Sequence, residues 1–402
     1  MDRMRRIDHD DRIGHTDRPD RIGHTDRPDR MDRLGGAAAG WAAGPVWVAG
    51  VDVGGTGVRV ALARLDGDGG GPAVVARTDI AAATRTGPGG IDARALLDTL
   101  LPACGRLLAE TGAPAVRTLA VGATGMVALG RDLAARLPGP LARITGAERL
   151  VLASDAVCAY AGALGARPGV VVAAGTGMIA LGTDLATGWR RADGWGHLLG
   201  DCGGGAWIGR AALDAALRAH DGRDGGSAPL LARVTDRFGP PAGLPAVFQG
   251  SDRAALLASI APDVGEAAAA DPVAAGILAR AAAEIAGTAA AVASAVTRPD
   301  SDSGPGSGAD SGPGSGADSG PGSGGGPGAD PGAGPRIALT GRLFELAGLR
   351  AAVADRLTDA VPGVRLRPAE GDPLLGALRL AAADGGPPWP TGAPWLQVIR
   401  CR

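Results

Sequence analysis

The chain has 402 residues and a formal net charge of −2, and its cationic residues other than histidine are all arginine. At about 100–200 residues per domain, this length allows two or three domains. A chain with almost no net charge has no overall positive field, so we expect neither nucleic acid nor an anionic membrane as a partner. The four cysteines, at positions 104, 158, 202 and 401, form no C-x-x-C pair. This spacing argues against a zinc site or a redox dithiol and is typical of a reduced, cytoplasmic protein.

Three segments lack the pattern of a packed core. Residues 1–44 form an Asp/Arg-rich tail in which RIGHTDRPD, at 12–20, is repeated at 21–29, and we expect this tail to be disordered. Residues 299–335 are rich in Gly, Ser and Pro, and we interpret them as a disordered insertion within one fold, since long surface loops cost little extra entropy. Residues 387–402 form a proline-interrupted tail in which the apolar pattern predicts no helix or strand.

No uninterrupted apolar run approaches the ~20 residues that span a bilayer, so we expect no membrane segment.

The elements predicted for the rest of the chain alternate between strands and helices. Apolar runs predict strands at 46–53, 58–65, 73–80, 118–125, 149–155, 337–341 and 364–369, and a strand, glycine turn and strand over 169–184. Helical apolar spacing occurs at 91–112, after residue 155, over roughly 206–298, after 341 and from 371. A strand, glycine turn and strand thus occur twice, each time followed by helices. This repetition predicts two related α/β domains, 46–155 and 156–386, facing a cleft, with the option that the last helix packs back on the first domain.

The first glycine turn lies in DVGGTGVRV, residues 52–60. Gly54, Gly55 and Thr56 follow Asp52 at the end of a predicted strand. Backbone N–H groups in such a turn approach phosphate oxygens closely, and an adjacent carboxylate can hold Mg²⁺, usually through water. An ordinary hairpin turn is the alternative interpretation.

A second turn of similar composition lies in AAGTGMIAL, residues 173–181, where Gly175, Thr176 and Gly177 connect two predicted strands. One such hairpin is weak evidence for a phosphate site. Two of them, in matching places of two α/β halves, favour a site that grips a phosphate chain from opposite sides.

Asp155, in ASDAVCAY, ends an apolar strand at the point where a helix begins. Aspartate is a preferred helix N-cap, which is the structural alternative. Ligands of open α/β folds bind beyond the carboxyl ends of the strands, however, and a carboxylate there can accept a hydroxyl proton during phosphoryl transfer.

Residues 194–209, GWGHLLGDCGGGAWIG, combine many glycines with two tryptophans and one aspartate. Glycine exposes the backbone, Trp195 offers an apolar face, and Asp201 can accept hydrogen bonds from hydroxyls. The segment is therefore interpreted either as a binding loop for a small polar ligand or as a merely flexible loop.

Together these stretches resemble the N-acetylglucosamine kinase branch of the BadF/BadG/BcrA/BcrD ATPase family, within the sugar kinase, actin and heat-shock ATPase superfamily. The matching segments run in the family's order over about 46–386, and they are DVGGTGVRV, ASDAVCAY, AAGTGMIALG, DGWGHLLGDCGGGAWIGRAAL, IALTGRL and PAEGDPLLGALRLA. The resemblance implies an α/β, two-domain actin-like ATPase (ribonuclease H-like) fold with an interdomain cleft. It also implies transfer of phosphate from ATP to N-acetylglucosamine, with ATP and Mg²⁺ as cofactors and a small amino sugar as the partner. The resemblance does not decide whether the chain forms a homodimer.

The resemblance assigns a role to each matching residue. Asp155 would be the catalytic base, and Asp52 would hold Mg²⁺. The ATP phosphates would contact Gly54, Gly55, Thr56, Gly175, Thr176 and Gly177. Gly341 would lie near adenosine, and the sugar would contact Gly194, Trp195, Gly196 and Asp201.

Two residues depart from the family pattern. Cys202 stands where the family usually has glutamate after Gly-Asp, and Arg342 follows Gly341 where a second glycine is usual. These departures favour a catalytically weak sugar sensor as one alternative. The others are a glucosamine or N-acetylmuramic acid kinase with the same mechanism and, from the family's other branch, an ATP-driven activator of a dehydratase. The last would need an iron–sulfur cluster between subunits, against which the scattered cysteines argue.

Overall fold

The computed structural model describes residues 45–55, 57–66, 70–81, 86–87, 90–124, 130–297, 334–383 and 388–401. The predicted tail 1–44 and residues 299–333 of the predicted insertion lie outside the described residues. Thr56, in the first glycine turn, also lies outside them.

The first sheet contains six strands in the spatial order β13-β7-β6-β1-β2-β3. They are β1 (Val46–Val53), β2 (Val58–Leu65), β3 (Ala73–Ile80), β6 (Thr118–Ala123), β7 (Arg149–Ser154) and β13 (Leu396–Arg400). β1, β6 and β7 are parallel, whereas β2, β3 and β13 run antiparallel to their neighbours. Because parallel strands end at the same edge, residues that follow β1, β6 and β7 are brought together there.

The second sheet contains five strands in the order β10-β9-β8-β11-β12. They are β8 (Gly169–Ala174), β9 (Met178–Thr183), β10 (Arg190–Asp193), β11 (Arg336–Thr340) and β12 (Arg365–Arg367). β8 and β9 form an antiparallel hairpin and β11 is parallel to β8, so the hairpin turn and the end of β11 share one edge. Two short strands, β4 (Thr86–Gly87) and β5 (Gly90–Ile91), pair separately.

Helices cover both sheets. In chain order they are α1 (Ala93–Thr111), α2 (Arg131–Arg136), α3 (Pro138–Thr145), α4 (Asp155–Leu164), α5 (Gly205–Asp221), α6 (Ala228–Phe238), α7 (Leu244–Val247), α8 (Arg253–Ala258), α9 (Ala261–Ala267), α10 (Pro272–Thr297), α11 (Leu349–Ala360) and α12 (Pro373–Ala382). Two 3₁₀ turns lie at Pro241–Gly243 and Arg342–Glu345. Several helices begin where a side chain satisfies a free backbone N–H: Asp92 caps α1, Ser154 caps α4, Ser227 caps α6 and Asp372 caps α12.

Small residues allow α4 and α12 to cross closely between the two sheets. A Cβ on Gly376 would overlap the carbonyl oxygen of Cys158, and a Cβ on Gly162 would overlap that of Asp372. One hydrophobic cluster accordingly combines both helices with residues of both sheets, among them Val48 and Val171. This crossing joins the two halves of the molecule through a shared core.

α10 is 26 residues long and is apolar enough, by length and composition, to cross a bilayer. One face of the helix packs in the core of the second half, where Ile277, Ile285 and Val292 are almost fully buried. A helix whose apolar face is covered by protein is typical of a globular core, and this burial accounts for its composition.

The C-terminal segment is the main difference from the sequence prediction. The sequence pattern predicts no element in residues 387–402, yet Leu396–Arg400 form an edge strand antiparallel to β7. Trp389 is 5% exposed, and Leu396 is fully buried. The segment therefore completes the first sheet, although a proline-rich sequence gives little periodic signal of it.

Candidate active site

The first glycine turn connects β1 to β2 at the edge where the parallel strands end. The Gly54 N–H donates to the carbonyl of Gly57 at 3.0 Å, which closes the turn. A Cβ on Gly55 would meet nothing within 4 Å, so the backbone there is open to a ligand. An accessible backbone in this position is what the predicted phosphate site requires.

Asp52, the predicted metal ligand, is held by an arginine of the neighbouring strand. Arg59 lies directly opposite Asp52 in the β1–β2 register, and its Nε donates to Asp52 Oδ2 at 2.9 Å. Its Nη2 contacts the same oxygen, while its Nη1 donates to Asp372 Oδ2 at 3.0 Å. The carboxylate is therefore oriented through its Oδ2.

Two opposing effects set the charge of Asp52. Asp52 is 5% exposed, and this burial raises the pKa of its carboxyl group, while the adjacent Arg59 guanidinium acts to lower that pKa. A salt bridge to a buried carboxylate offsets part of the cost of removing its charge from water. Arg59 thus favours the ionised form that a metal ligand needs.

Asp155 is the first residue of α4, at the same edge of the sheet. Ser154 serves as the N-cap, so the aspartate that the sequence left as a possible cap is free for another role. Its carboxylate accepts from the N–H of Ala156 at 2.8 Å and from the hydroxyl of Thr124. Burial raises the pKa of Asp155, and the nearby charge of Asp52 raises it further.

Thr124 was not predicted from the sequence. It directly follows β6, which lies between β1 and β7, so it reaches Asp155 from the adjacent strand end. The signal that could have found it is its place at the end of the central parallel strand, which is where ligands bind in such sheets.

The second glycine turn packs against the N-terminus of α5. The Gly175 N–H donates to the carbonyl of Gly177 at 2.9 Å. Gly205 and Ala206, at the start of α5, donate their N–H groups to the carbonyls of Gly175 and Thr176, each at 2.9 Å. The start of the helix therefore fixes the position of the turn.

Asp201 lies beside this second turn. A Cβ on Gly177 would overlap the Asp201 carboxylate, which explains glycine at this position. Asp201 has a left-handed backbone, with φ of 55°, and its Oδ1 accepts from the N–H of Gly196 at 3.0 Å. Burial raises the pKa of Asp201, and the charges of Asp193 and Asp155 raise it further. The charge of Asp52 thus acts on the pKa of Asp155, and the charge of Asp155 acts on the pKa of Asp201.

The loop that contains the predicted sugar residues is fixed at its base and open at its tip. The carboxylate of Asp193 accepts from the N–H groups of Asp201 and Cys202, at 2.7 and 2.8 Å. A Cβ on Gly194 would press against Ile179, whereas one on Gly196 would meet nothing within 4 Å.

Trp195 is 64% exposed, and its ring is stacked under the guanidinium of Arg191, 3.8 Å from the ring centroid. The indole therefore has one face covered by protein and much of its surface open to a ligand. His197, in the same loop, has its pKa lowered by burial and by the charge of Arg253, so it is neutral near pH 7.

Gly341, predicted near adenosine, follows β11 with φ of 106°. A Cβ at this position would overlap the carbonyl oxygen of Ala174, the residue before the second glycine turn. The close approach places Gly341 at the same edge as that turn. Arg342, the departure from the family pattern, is exposed.

The donor set can accommodate Mg²⁺. Among the described residues there is no group of three or more His, Cys, Asp or Glu side chains that would enclose a metal. Mg²⁺ usually keeps several waters and is held by one or two carboxylates together with substrate phosphates. A buried carboxylate held by an arginine beside an open glycine turn, as at Asp52, fits this mode of binding.

Comparison with known proteins identifies relatives of the chain. Residues 49–303 match the family described as the BadF/BadG/BcrA/BcrD ATPase family. An N-acetylmuramic acid/N-acetylglucosamine kinase of Clostridium acetobutylicum is 40% identical over 75 residues, which are 19% of this chain and 24% of that protein. The match therefore spans about a quarter of the length of this curated relative.

Two solved structures resemble the whole fold. A proposed N-acetylglucosamine kinase from Chromobacterium violaceum has 26% identity and a TM-score of 0.59, over 83% of this chain and 98% of that one. Another from Porphyromonas gingivalis has 15% identity and a TM-score of 0.57, over 83% and 97%. These similarities confirm the two-domain actin-like α/β fold expected from the sequence. The roles assigned to individual site residues stay predictions.

Proposed function

The chain belongs to the BadF/BadG/BcrA/BcrD ATPase family, and on that premise we propose that it transfers the γ-phosphoryl group of ATP to the 6-hydroxyl of an amino sugar. N-acetylglucosamine is the proposed acceptor, giving N-acetylglucosamine 6-phosphate and ADP. The observation that carries the proposal is the convergence of Asp52, Asp155 and Asp201 beside two glycine turns, each of which follows a strand with a parallel neighbour. The likeness to proposed N-acetylglucosamine kinases supports the same acceptor.

Asp155 is the proposed general base. It accepts the proton of the sugar 6-hydroxyl as the oxygen attacks the γ-phosphorus, and such assistance is typically worth about 10²–10⁴-fold in rate. Its raised pKa makes the Asp155 carboxylate a stronger base than an exposed aspartate. At pH values well above that pKa, the carboxyl is ionised in most molecules and can accept the proton. The Thr124 hydroxyl donates to the carboxylate and holds its orientation.

The two glycine turns are the proposed phosphate site. Gly54 and Gly55 approach the phosphates from the first sheet, and Gly175 and Gly177 approach from the second. The N–H groups of Gly54 and Gly175 close the two turns, so those of Gly55 and Gly177 are the ones proposed to stabilise charge that develops on the transferred phosphoryl group. Mg²⁺, when bound beside Asp52, would neutralise part of the phosphate charge.

The loop around residues 194–201 is the proposed sugar site. The exposed Trp195 provides an apolar surface for one face of the sugar ring, as aromatic side chains do. Asp201 accepts hydrogen bonds from sugar hydroxyls, and the open backbone at Gly196 allows close approach. Closure of the cleft over the sugar would exclude water and limit futile hydrolysis of ATP.

A screen of ADP release tests the proposal. The purified chain is supplied with Mg²⁺-ATP and, in separate reactions, with N-acetylglucosamine, glucosamine, N-acetylmuramic acid or glucose. We expect ADP release that depends on an N-acetylated amino sugar and exceeds the sugar-free rate. Release that no sugar stimulates, or that glucose alone stimulates, contradicts the proposal, and tight sugar binding without turnover would instead indicate a sensor.

A further inference from the structure

The C-terminal segment 388–401 lies outside residues 49–303, which match the family, yet it is built into the candidate site. The Trp389 indole N–H donates to the carbonyl of Gly165, just after α4, at 3.0 Å. β13 then pairs with residues 149–153 of β7, the strand that leads into Asp155. The backbone carbonyl of Trp395 accepts from the N–H of Ser154 at 2.9 Å, one residue before the proposed base.

The same segment also contacts the second half of the molecule. The Trp189 indole N–H, just before β10, donates to the carbonyl of Pro390 at 2.9 Å. The guanidinium carbon of Arg191, in β10, lies 3.8 Å from the Trp195 ring centroid and 5.8 Å from the Trp395 ring centroid. The guanidinium therefore contacts both the indole of the proposed sugar loop and an indole of the C-terminal segment.

Arg191 has unused hydrogen-bonding capacity. Within the described part of the chain it makes these two ring contacts and no hydrogen bond or ion pair. Stacking on an indole occupies the face of a guanidinium and leaves the N–H groups on its edge available. A planar edge of this kind matches the two oxygens of a carboxylate.

From this arrangement we propose that Arg191 binds a carboxylate substituent on the acceptor sugar. Trp195 and Trp395 orient the guanidinium, so the C-terminal segment contributes to acceptor specificity. The inference rests on the proposed function and narrows its substrate class: besides a neutral amino sugar, the site accepts one that carries a carboxylate, as N-acetylmuramic acid does.

Kinetics with two acceptors test the inference. Values of kcat/KM are measured for N-acetylmuramic acid and for N-acetylglucosamine, with wild type and with Arg191→Gln. We expect the substitution to lower kcat/KM about 10- to 100-fold for the carboxylate sugar, because a hydrogen bond to a charged group is lost. For the neutral sugar we expect a change within about twofold. Arg191→Lys keeps the charge but not the planar edge, and an intermediate loss is expected.

Two further variants make the test specific. Trp395→Leu leaves the guanidinium but removes one of its two ring contacts. As with Arg191→Gln, we expect kcat/KM to fall more for the carboxylate sugar than for the neutral sugar. Arg190→Gln removes the same charge from the preceding, exposed residue of β10 and should leave the ratio of the two kcat/KM values unchanged. Thermal melting of each variant verifies that it is folded.

The possible failures are distinguishable. A wild-type chain that releases no ADP with either sugar contradicts the proposed function, and calorimetric binding of N-acetylmuramic acid to wild type and Arg191→Gln then still tests the role of Arg191. Equal losses for both sugars, a raised KM for ATP alone, or wild-type binding of only the neutral sugar would overturn the inference.

Discussion

Asp155 has requirements in catalysis and in folding that oppose each other. Its pKa in the folded chain is raised, chiefly by burial, so the folded state holds the proton more tightly than the unfolded chain does. The resulting stability is fully present below the unfolded pKa and is lost as pH rises through the folded pKa. Near pH 7 the ionised group therefore costs folding free energy. Asp155→Asn should lower sugar-dependent kcat about 10²–10⁴-fold and raise the melting temperature at pH 7.

Measurements of kcat by ADP release and of melting temperature over a series of pH values from 7 downward check this prediction. The gain in melting temperature should shrink as the pH falls through the folded pKa of Asp155, because the wild-type carboxyl then becomes protonated. Asp214→Asn, at an exposed aspartate paired with Arg218, is the matched control and should change neither quantity appreciably. An Asp155→Asn variant as fast as wild type would remove this residue from the mechanism.

Arg59 offers a second test at the level of one residue. It donates to Asp52, whose burial alone would raise the carboxyl pKa. Without the guanidinium, that pKa should rise further, so the ionised form would require a higher pH. Arg59→Gln should therefore shift the acid side of the activity–pH profile upward and raise the Mg²⁺ concentration for half-maximal rate, by about tenfold or less.

The pH profile, the Mg²⁺ titration and calorimetric binding of Mg²⁺-ATP are the measurements. Arg59→Lys should restore part of the effect because it keeps a positive charge. Arg64→Gln, at an exposed position of the same strand paired with Asp66, is the control. If Arg59→Gln needed no more Mg²⁺ than the control, the link between Arg59 and the metal-binding carboxylate would be wrong.

At the level of elements, the crossing of α4 and α12 depends on missing side chains. Gly376 allows α12 to lie against the Cys158 carbonyl, and an added Cβ would overlap that oxygen. Gly376→Ala should lower the free energy of unfolding by about 1–3 kcal/mol, because the helices must separate.

Gly287→Ala is the matched substitution in α10, at an exposed position where a Cβ would meet nothing within 4 Å. It should instead raise the free energy of unfolding by about 0.5–1 kcal/mol, since alanine favours the helix over glycine. Urea titrations of both variants decide between these signs. A neutral Gly376→Ala would show that the crossing tolerates more space than the backbone distances imply.

Most elements could be predicted because their apolar residues form a strong local pattern, whereas elements with a weak pattern could not. β1, β7 and β8 are continuous apolar runs because they are buried, and their turns contain glycine, so the sequence predicts them well. β13 is an edge strand of five residues after a proline-rich stretch, and its partial burial leaves no clear alternation. Its place beside β7 follows from long-range packing of Trp389 and Leu396, which periodicity does not reveal.

The same reasoning applies to the site as a whole. Asp52, Asp155 and the two glycine turns could be predicted because each follows an apolar strand, and the resemblance to a family supplied their roles. The ion pair of Arg59 with Asp372 joins residues 313 positions apart, and Arg191 meets Trp395 across more than half the chain. Neither pairing leaves a local signal, so only the assembled fold shows them.

Closure of the cleft is the expectation for the whole molecule. The proposed base and first phosphate turn lie on one sheet, whereas the second turn and the sugar loop lie on the other. A sugar that contacts both groups would favour a closed arrangement, because ligand contacts made only there shift the population. Small-angle X-ray scattering should therefore give a smaller radius of gyration with saturating N-acetylglucosamine and a non-hydrolysable ATP analogue.

Variants separate closure from chemistry. Asp155→Asn should close as wild type does, since the amide still fits the site, while Asp201→Asn should weaken sugar binding and require more sugar for the same change. Ligand binding to the folded state should also raise the melting temperature, by mass action, in parallel with closure. If scattering stayed unchanged while calorimetry showed saturation by both ligands, the two sheets would already have their catalytic arrangement without substrate. Asp155, Asp201 and the two turns would then form a rigid site, and water would have to be excluded by the sugar loop alone.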